Sequence, residues 1–397
     1  MGLSYWEGQS VDSLLQKMDD LTDAFRPSMA DYDLTDYKDI AQAVRDGNGD
    51  KIPNGHTFTV AHAVYGNIDF VVRRKNTDHV YGDAERPTLT IQSKYILSVG
   101  AGTSAAVFQY DRPEAFIKVT EAITANTVCK FTTPAYGNWV AGTYNFTPTA
   151  DIAAGAMLCI NGGGYDTGAL TARKVQVFAS QKATSASATY DISSGDGGAT
   201  KDLGTWGTAT CNHPQRISYG SNNEAQSNIF QWLNGDSGSG YMDSIWVPKT
   251  DFDMMSTSYT SLKGFLGGFP QDFRNCLGLC DIHNITNTVY ETGYNTNSQY
   301  THQGYFWLPS RKEIYGTNET ASEASEIQFP YYANVGTTDA DKLGYAKGAT
   351  SATTEWLRTP TAGYAYNVRV VNAGRGGALY DYIAYLSNGV RPLAIIS

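Results

Sequence analysis

The reading of this chain turns on its C-terminal stretch, residues 356–397: WLRTPTAGYAYNVRVVNAGRGGALYDYIAYLSNGVRPLAIIS. The stretch holds no Lys, Glu, Gln, His, Met or Cys. It carries Tyr364, Tyr366, Tyr380, Tyr382 and Tyr385, with Asn367, Asn372, Asp381, Ser387 and Asn388. Tyrosine gives a large amphipathic contact area at low entropy cost, and Asn and Ser add adaptable hydrogen bonds, as in antibody combining surfaces. Val368, Val370, Ile383, Val390, Leu393, Ile395 and Ile396 are interleaved at strand spacing. The stretch therefore separates into scaffold and display positions. A plain tyrosine-rich edge sheet is the alternative.

Gly-punctuated strands are expected here at Trp356–Arg358, Tyr366–Val371, Tyr382–Leu386 and Val390–Ile396. Upstream, Ser221 and Glu224 form a capping-box pair ahead of a helix to Asn234. Ala225, Ile229, Trp232 and Leu233 give that helix one apolar face, and Gly235 closes it. A shorter helix opens at Pro270, with Phe273 and Leu277 on one face. A polar stretch (Asn284–Gln303), a strand at Tyr305–Leu308 and a capped turn, Ser310 with Glu313, follow.

Between residues 98 and 210 the chain is rich in Gly, Thr and Ala. Its strand-like runs are Ala105–Tyr110, Ala115–Val119, Val128–Thr132, Thr143–Pro148, Ala156–Ile160, Lys174–Ala179 and Thr189–Ile192. Short runs with turns between them read as an antiparallel sandwich, with Ser185–Ser187 and Gly195–Ala199 as its exit linker. Before this region, strands are expected at Thr57–Val64, Ile68–Arg73 and Thr88–Ile96. The N-terminus reads as helical: Val11, Leu14, Leu15, Met18, Leu21 and Phe25 recur at three- and four-residue steps, and a second helix runs near Tyr37–Val44. Asp46-Gly47-Asn48-Gly49-Asp50 resembles the start of a calcium loop, but the distal Glu is missing and Thr57 stands in its place. An Asn-Gly turn is the simpler reading.

The chain has 397 residues, room for two or three domains at about 150 each. The net charge of −10, with no basic block, argues against nucleic acid. No apolar run reaches the ~18 residues of a membrane span, and the N-terminus lacks the basic and apolar regions of a signal peptide. Five cysteines, an odd number, imply no complete disulfide framework.

Catalytic signatures are weak. No GxGxxG, phosphate-binding lysine loop, HExxH or GxSxG is present. Cys276 and Cys280 lack zinc or redox spacing. His213 and His283 carry no spacing information. Asp236, Asp251 and Asp253 are the only carboxylates that suggest glycosidic chemistry, and solvated loop acids explain them as well. No catalytic residue, cofactor or metal ligand is assigned.

Five motifs occur in one order: Gln231-Trp232-Leu233-Asn234 closing the capped helix, Gly264-Phe265-Leu266, Phe306-Trp307-Leu308-Pro309-Ser310, Trp356-Leu357-Arg358-Thr359-Pro360 and Gly389-Val390-Arg391-Pro392. Together they resemble the C-type-lectin-fold variable proteins of diversity-generating retroelements. The resemblance covers residues 52–97 and 211–397. It implies an α+β, β-rich fold in which a C-terminal C-type-lectin-like domain carries residues 98–210 as an inserted, antiparallel β-sandwich-like domain. Residues 1–51 would be a helical attachment or oligomerisation segment. In that family adenines of a template copied into the C-terminal codons are mutated, which diversifies Asn codons without giving Lys, Glu or Gln.

The resemblance implies binding rather than catalysis. The display positions are Tyr364, Tyr366, Asn367, Asn372, Arg375, Tyr380, Asp381, Tyr382, Tyr385 and Asn388, and Trp356, Arg358, Val390 and Pro392 are fixed scaffold. The implied protein is a phage or prophage receptor-binding protein, carried on the virion and made in the host cytoplasm. Its partners would be a bacterial surface protein or glycan, other virion proteins and further copies of itself, with a trimer favoured. A structural virion protein is the main rival, and a polysaccharide-degrading tail enzyme the weaker one. The related formylglycine-generating enzymes need a C-terminal cysteine pair, and no cysteine follows Cys280. The Glu-Pro-Asn or Gln-Pro-Asp motif of calcium-dependent lectins is also absent.

Overall fold

A computed structural model describes residues 27–97, 108, 113–133, 141–161, 170–179, 186–205, 224–236, 264–285, 299–320, 326–362, 367–384 and 386–397. The expected Val11–Phe25 helix, the run at Ala105–Tyr110 apart from Phe108, Ser221, His213, Asp251 and Asp253 lie outside these residues.

Helix α1 (Tyr37–Arg45) starts at Asp36, whose side chain accepts from the Lys38 amide. Its apolar face (Ile40, Ala41, Ala43 and Val44) is buried in the larger of the molecule's cores. The part of the expected attachment segment that is described here is therefore packed into the main body, because those four side chains have apolar partners there. The Asp46–Asp50 stretch closes this helix. The Asp46 carboxylate accepts from Tyr32 Oη (2.7 Å) and Gln42 Nε2 (2.9 Å). Among the described residues no group of three His, Cys, Asp or Glu could hold a metal.

Strands β1 (Thr57–His62), β2 (Gly66–Lys75) and β3 (Leu89–Ser93) form an antiparallel meander. β1 alternates between exposed and buried positions, as expected with one face on the core, whereas all five residues of β3 are buried.

The region after β3 is a separate two-sheet unit. Its strands are β4 (Pro113–Lys118), β5 (Cys129–Thr133), β6 (Gly142–Phe146), β7 (Met157–Asn161), β8 (Lys174–Phe178), β9 (Ala188–Asp191), β10 (Ser193–Ser194) and β11 (Lys201–Thr205). The sheets are ordered β4-β7-β8-β9 and β10-β6-β5-β11. They share a core whose buried members run from Val119 to Ile192, with Ile117 and Leu203 packed against it and Phe146 stacked on Tyr190 at 6.1 Å. One pairing, β11 on β5, is parallel, in contrast to the all-antiparallel expectation. The glycines read as an exit linker are built into the unit instead. Gly195, Gly197 and Gly198 have positive φ, the Gly195 amide donates to Thr143 O, and Gly195 O accepts from Asn145 Nδ2 at 2.8 Å.

Helix α2 (Asn228–Asn234) is capped by Ser227, whose hydroxyl accepts from the Phe230 amide. Helix α3 (Gln271–Arg274) leads to β12 (Leu277–Gly278), and β13 (Cys280–Ile285) pairs with β14 (Gln299–Gly304). That hairpin lies where the sequence showed a polar stretch, and Trp307 makes only an isolated bridge to Leu393. Helices α4 (Arg311–Tyr315) and α5 (Pro330–Asn334) precede a two-stranded ladder, β15 (Gly344–Tyr345) with β16 (Ala352–Thr353). The chain then forms β17 (Glu355–Pro360), β18 (Asn367–Asn372) and β19 (Ala378–Ile383) before closing with β20 (Leu393–Ile396).

β20 lies between β3 and β12, so the main sheet reads β1-β2-β3-β20-β12 and the last strand pairs with one from the first quarter of the chain. It is buried on both faces. Ala394 and Ile396 join the core that contains α1 and α2, and Leu393 and Ile395 join the one containing Ile314, Phe329 and Tyr332. The fold is α+β and rich in strand.

Candidate functional site

The strands of the three-stranded sheet β17-β18-β19 carry five of the ten expected display positions, and Arg375 lies in the turn between two of them. Its register pairs Val368 with Tyr382, Arg369 with Asp381 and Val370 with Tyr380. Directly opposed residues share a face, so the two faces differ. One holds Val368, Val370, Tyr380 and Tyr382, and it packs on the larger core. The other holds Asn367, Arg369, Val371, Leu379 and Asp381.

Tyr380 and Tyr382 are half-buried, packed partly on the core. Their rings meet edge to face at 5.8 Å, and the Arg375 guanidinium lies 3.8 Å above the centre of Tyr380. These three residues form a cation–aromatic ladder that runs from the β18–β19 turn along β19. Arg375 is exposed. The turn that presents it is fixed by Asn372, whose Oδ1 accepts from the Arg375 amide at 3.2 Å, and by Gly376 and Gly377 at positive φ.

On the opposite face Asp381 is held from two sides. Asn367 Nδ2 donates to Oδ2 at 2.5 Å, and Arg369 Nη1 stands 3.7 Å from Oδ1. Arg369 also makes a two-point bond to Glu319, through Nε at 2.7 Å and Nη2 at 2.6 Å. Glu319 further accepts from Arg311 Nη1 (2.6 Å) and the Ala362 amide (3.0 Å). Burial works to raise its pKa, but these donors win and hold it below the usual carboxylate range.

Two expected display residues point inward. Asn367 is 1% exposed and Asn372 2%. Asn367 sits opposite Ile383 and bonds Asp381; Asn372 is used to cap its own turn. Both are framework, because Asn367 at the start of β18 and Asn372 at its end each use the polar side chain for local bonding. Asn388 is half-buried, and its Nδ2 is shut from water with no hydrogen-bond partner among the described residues. Tyr364, Tyr366 and Tyr385 lie outside the described residues. Trp356, Arg358, Val390 and Pro392 are all buried.

Behind the sheet lies a network of buried charge that sequence reasoning missed. Glu313 takes Arg74 Nη2 on Oε1 and Arg358 Nη1 on Oε2, each at 2.5 Å, and closes a capping box with the Ser310 amide at 2.7 Å. Arg74 also donates to both oxygens of Asp78 and to Ile327 O. Arg358 also reaches Leu308 O (2.8 Å), His283 O (3.1 Å) and Glu326 (3.1 Å). Burial alone would lower the pKa of both guanidiniums; the surrounding carboxylates raise them above the usual arginine value.

Glu224, expected to cap a helix, is instead wholly buried, and its Oε1 accepts from the Leu308 amide at 2.7 Å. Its Oε2 stands 3.3 Å from His302 Nε2. Burial pushes its pKa up to about 8 despite nearby Arg358. A spacing signal cannot reveal such a group, since its partners are 78 and more residues away in sequence.

The geometry offers a rigid frame with a small aromatic and cationic front. The four described cysteines are buried, and burial pushes the Cys129 thiol up to about 11.

The family described as domain of unknown function DUF6273 matches residues 209–397, just under half of the chain, and this stretch includes the whole of the β17-β18-β19 sheet. No curated protein and no solved structure matches the chain.

Proposed function

We propose that the chain is a receptor-binding or surface-display protein of a phage or prophage, with a C-type-lectin-like C-terminal part that grips a bacterial surface ligand. One observation carries this reading: the Arg375–Tyr380–Tyr382 ladder runs from the turn along β19 in a sheet whose reverse side is locked by Arg369, Glu319 and Asp381. Aromatic and arginine side chains on a pre-organised frame contribute most per residue to recognition. Pairing of β20 with β3, beneath a smaller sheet built from the C-terminal residues, supports the lectin-like assignment. Trimeric assembly would multiply weak single contacts by avidity.

The test is adsorption of virions carrying the Arg375→Ala/Tyr382→Ala pair. Loss of attachment with intact particles supports the reading; unchanged attachment removes it. A near-copy of the codons for 356–397, differing at adenines and lying beside a reverse transcriptase gene, would establish the diversified class.

The structural-virion reading has an observation of its own. Ile327, Tyr331 and Val335 expose apolar surface along α5 and its flanks, Val335 at 71%. Val335→Asp would impair particle assembly on that reading and leave it intact on the first.

A further inference from the structure

A cleft of about 170 Å³ opens between β2, the end of β3 and the residues that follow β15. Its walls include Tyr65, Asn67, Asp69, Ser93, Tyr95 and Lys347. The volume is well above the ~10–15 Å³ that one water needs and below the ~300 Å³ at which drug-sized pockets begin. It suits a single small ring.

The walls are held in place by backbone bonds. The Lys94 amide donates to Asp69 O at 2.8 Å, the Ile96 amide to Tyr345 O at 2.9 Å, and Ser93 Oγ to Tyr95 O at 2.5 Å. Tyr65 leans on Trp232 and Phe265, and burial alone pushes its phenol up to about 12. Tyr65 thus lines the cleft with a side chain that has both an apolar ring and a hydroxyl. Asp69 is oriented by Thr59 Oγ1 (2.7 Å) and Lys347 Nζ (2.9 Å), which leaves lone pairs on both oxygens.

The chemistry selects among occupants. A cationic guest is disfavoured, because Lys94 and Lys347 already place ammonium groups 5.6 and 5.9 Å from the Tyr95 ring centre. A purely apolar guest would strip water from Asp69, Asn67 and Lys347 without replacing its hydrogen bonds. A strong anion would meet the Asp69 carboxylate. A neutral ring bearing several hydroxyls avoids all three difficulties: it donates to Asp69, accepts from Lys347 and Asn67, and lays its C–H face on a tyrosine.

We propose that this cleft binds one neutral pyranose unit of a glycan, with Tyr65 and Tyr95 as ring platforms and Asp69, Asn67 and Lys347 as hydroxyl partners. The site is distinct from the C-terminal face and does not depend on its role.

Saturation-transfer NMR on the full chain tests it, with the methyl glycosides of glucose, galactose, mannose and N-acetylglucosamine as probes and tetramethylammonium as the cationic competitor. At least one glycoside should bind with a Kd on the order of 1 mM, as its small size dictates. Tyr95→Ala and Asn67→Ala should each weaken it by about tenfold, the equivalent of one good contact. Asn67 is exposed, so its variant keeps the test valid if Tyr95→Ala unfolds. Tyr95→Phe keeps the ring and should restore what Tyr95→Ala loses, and the remote, exposed Lys174→Ala should bind as the parent does. The proposal is overturned if no glycoside binds, if binding survives Asn67→Ala at full strength, or if tetramethylammonium binds in place of the glycosides.

Discussion

Arg358 donates through Nη1 to Glu313 Oε2 at 2.5 Å, with both side chains closed off from water. The pair joins β17, which begins the C-terminal sheet, to the first turn of α4. The carboxylate on the other end of this bond also holds Arg74 from β2, so one acid fastens three separated parts of the chain.

Removing Arg358 leaves Glu313 and Glu326 with less compensation and strands the carbonyls of Leu308 and His283. Arg358→Ala should destabilise by about 3–5 kcal/mol, the usual cost of breaking a buried pair from one side. Arg358→Lys should recover only part of this, because an ammonium cannot reach four acceptors in the guanidinium's fork geometry. Urea denaturation of both variants measures the difference.

Two buried acids give opposite pH signatures. Glu224 has a folded pKa raised to about 8, so its contribution is complete below its unfolded value and is lost as pH rises through that figure. Glu319 has a depressed folded pKa, so its contribution is present above its unfolded value and is lost as pH falls through the folded one. Melting temperature against pH should lose its fall between about 4.5 and about 8 in Glu224→Gln, which still accepts from the Leu308 amide. It should flatten on the acid side in Glu319→Gln. An unchanged slope between about pH 4.5 and 8 in Glu224→Gln would refute the assignment.

The turn between β18 and β19 contains two glycines with different constraints. Gly376 has φ +67° and open space where a Cβ would stand, so Gly376→Ala should cost about 1–2 kcal/mol from the left-handed backbone alone. At Gly377, φ is +92° and a Cβ would fall 1.9 Å from Asp339 O, so Gly377→Ala must displace backbone and should cost more. Thermal unfolding of the two variants should rank them in that order, with Arg375 lifted off Tyr380 in the second.

Tyr380 and Tyr382 belong half to the core, so replacing them is not energetically silent. Each change to Ala should cost about 1–3 kcal/mol, less than the ~3–5 of a fully buried ring. Arg375→Ala should lower stability by no more than about 1 kcal/mol, since its contact is an exposed cation–π pair. A binding defect in Arg375→Ala without a change in melting temperature therefore separates recognition from folding.

Local patterns made much of the fold legible. The alternation in β1, the periodic face of α1, the Ser310–Glu313 box and the strand positions from β5 to β9 all follow from side-chain periodicity and short-range hydrogen bonding, which are written into neighbouring residues. The strand at β19 begins four residues earlier than expected, because Gly376 and Gly377 turn the chain at once. The β13–β14 hairpin was hidden because its outward face is polar and reads as loop.

In the C-terminal stretch, the sequence determined which residue types were available for contact: tyrosines, asparagines and one exposed arginine between apolar strand positions. Only the tertiary structure decided that Asn367 and Asn372 turn inward while Arg375 caps a tyrosine pair. Only it placed Arg74, Glu313 and Arg358 together. Facing and pairing across hundreds of residues depend on register and on which sheet covers which, and the cost of burying a charge is set by the partners that the whole fold brings to it.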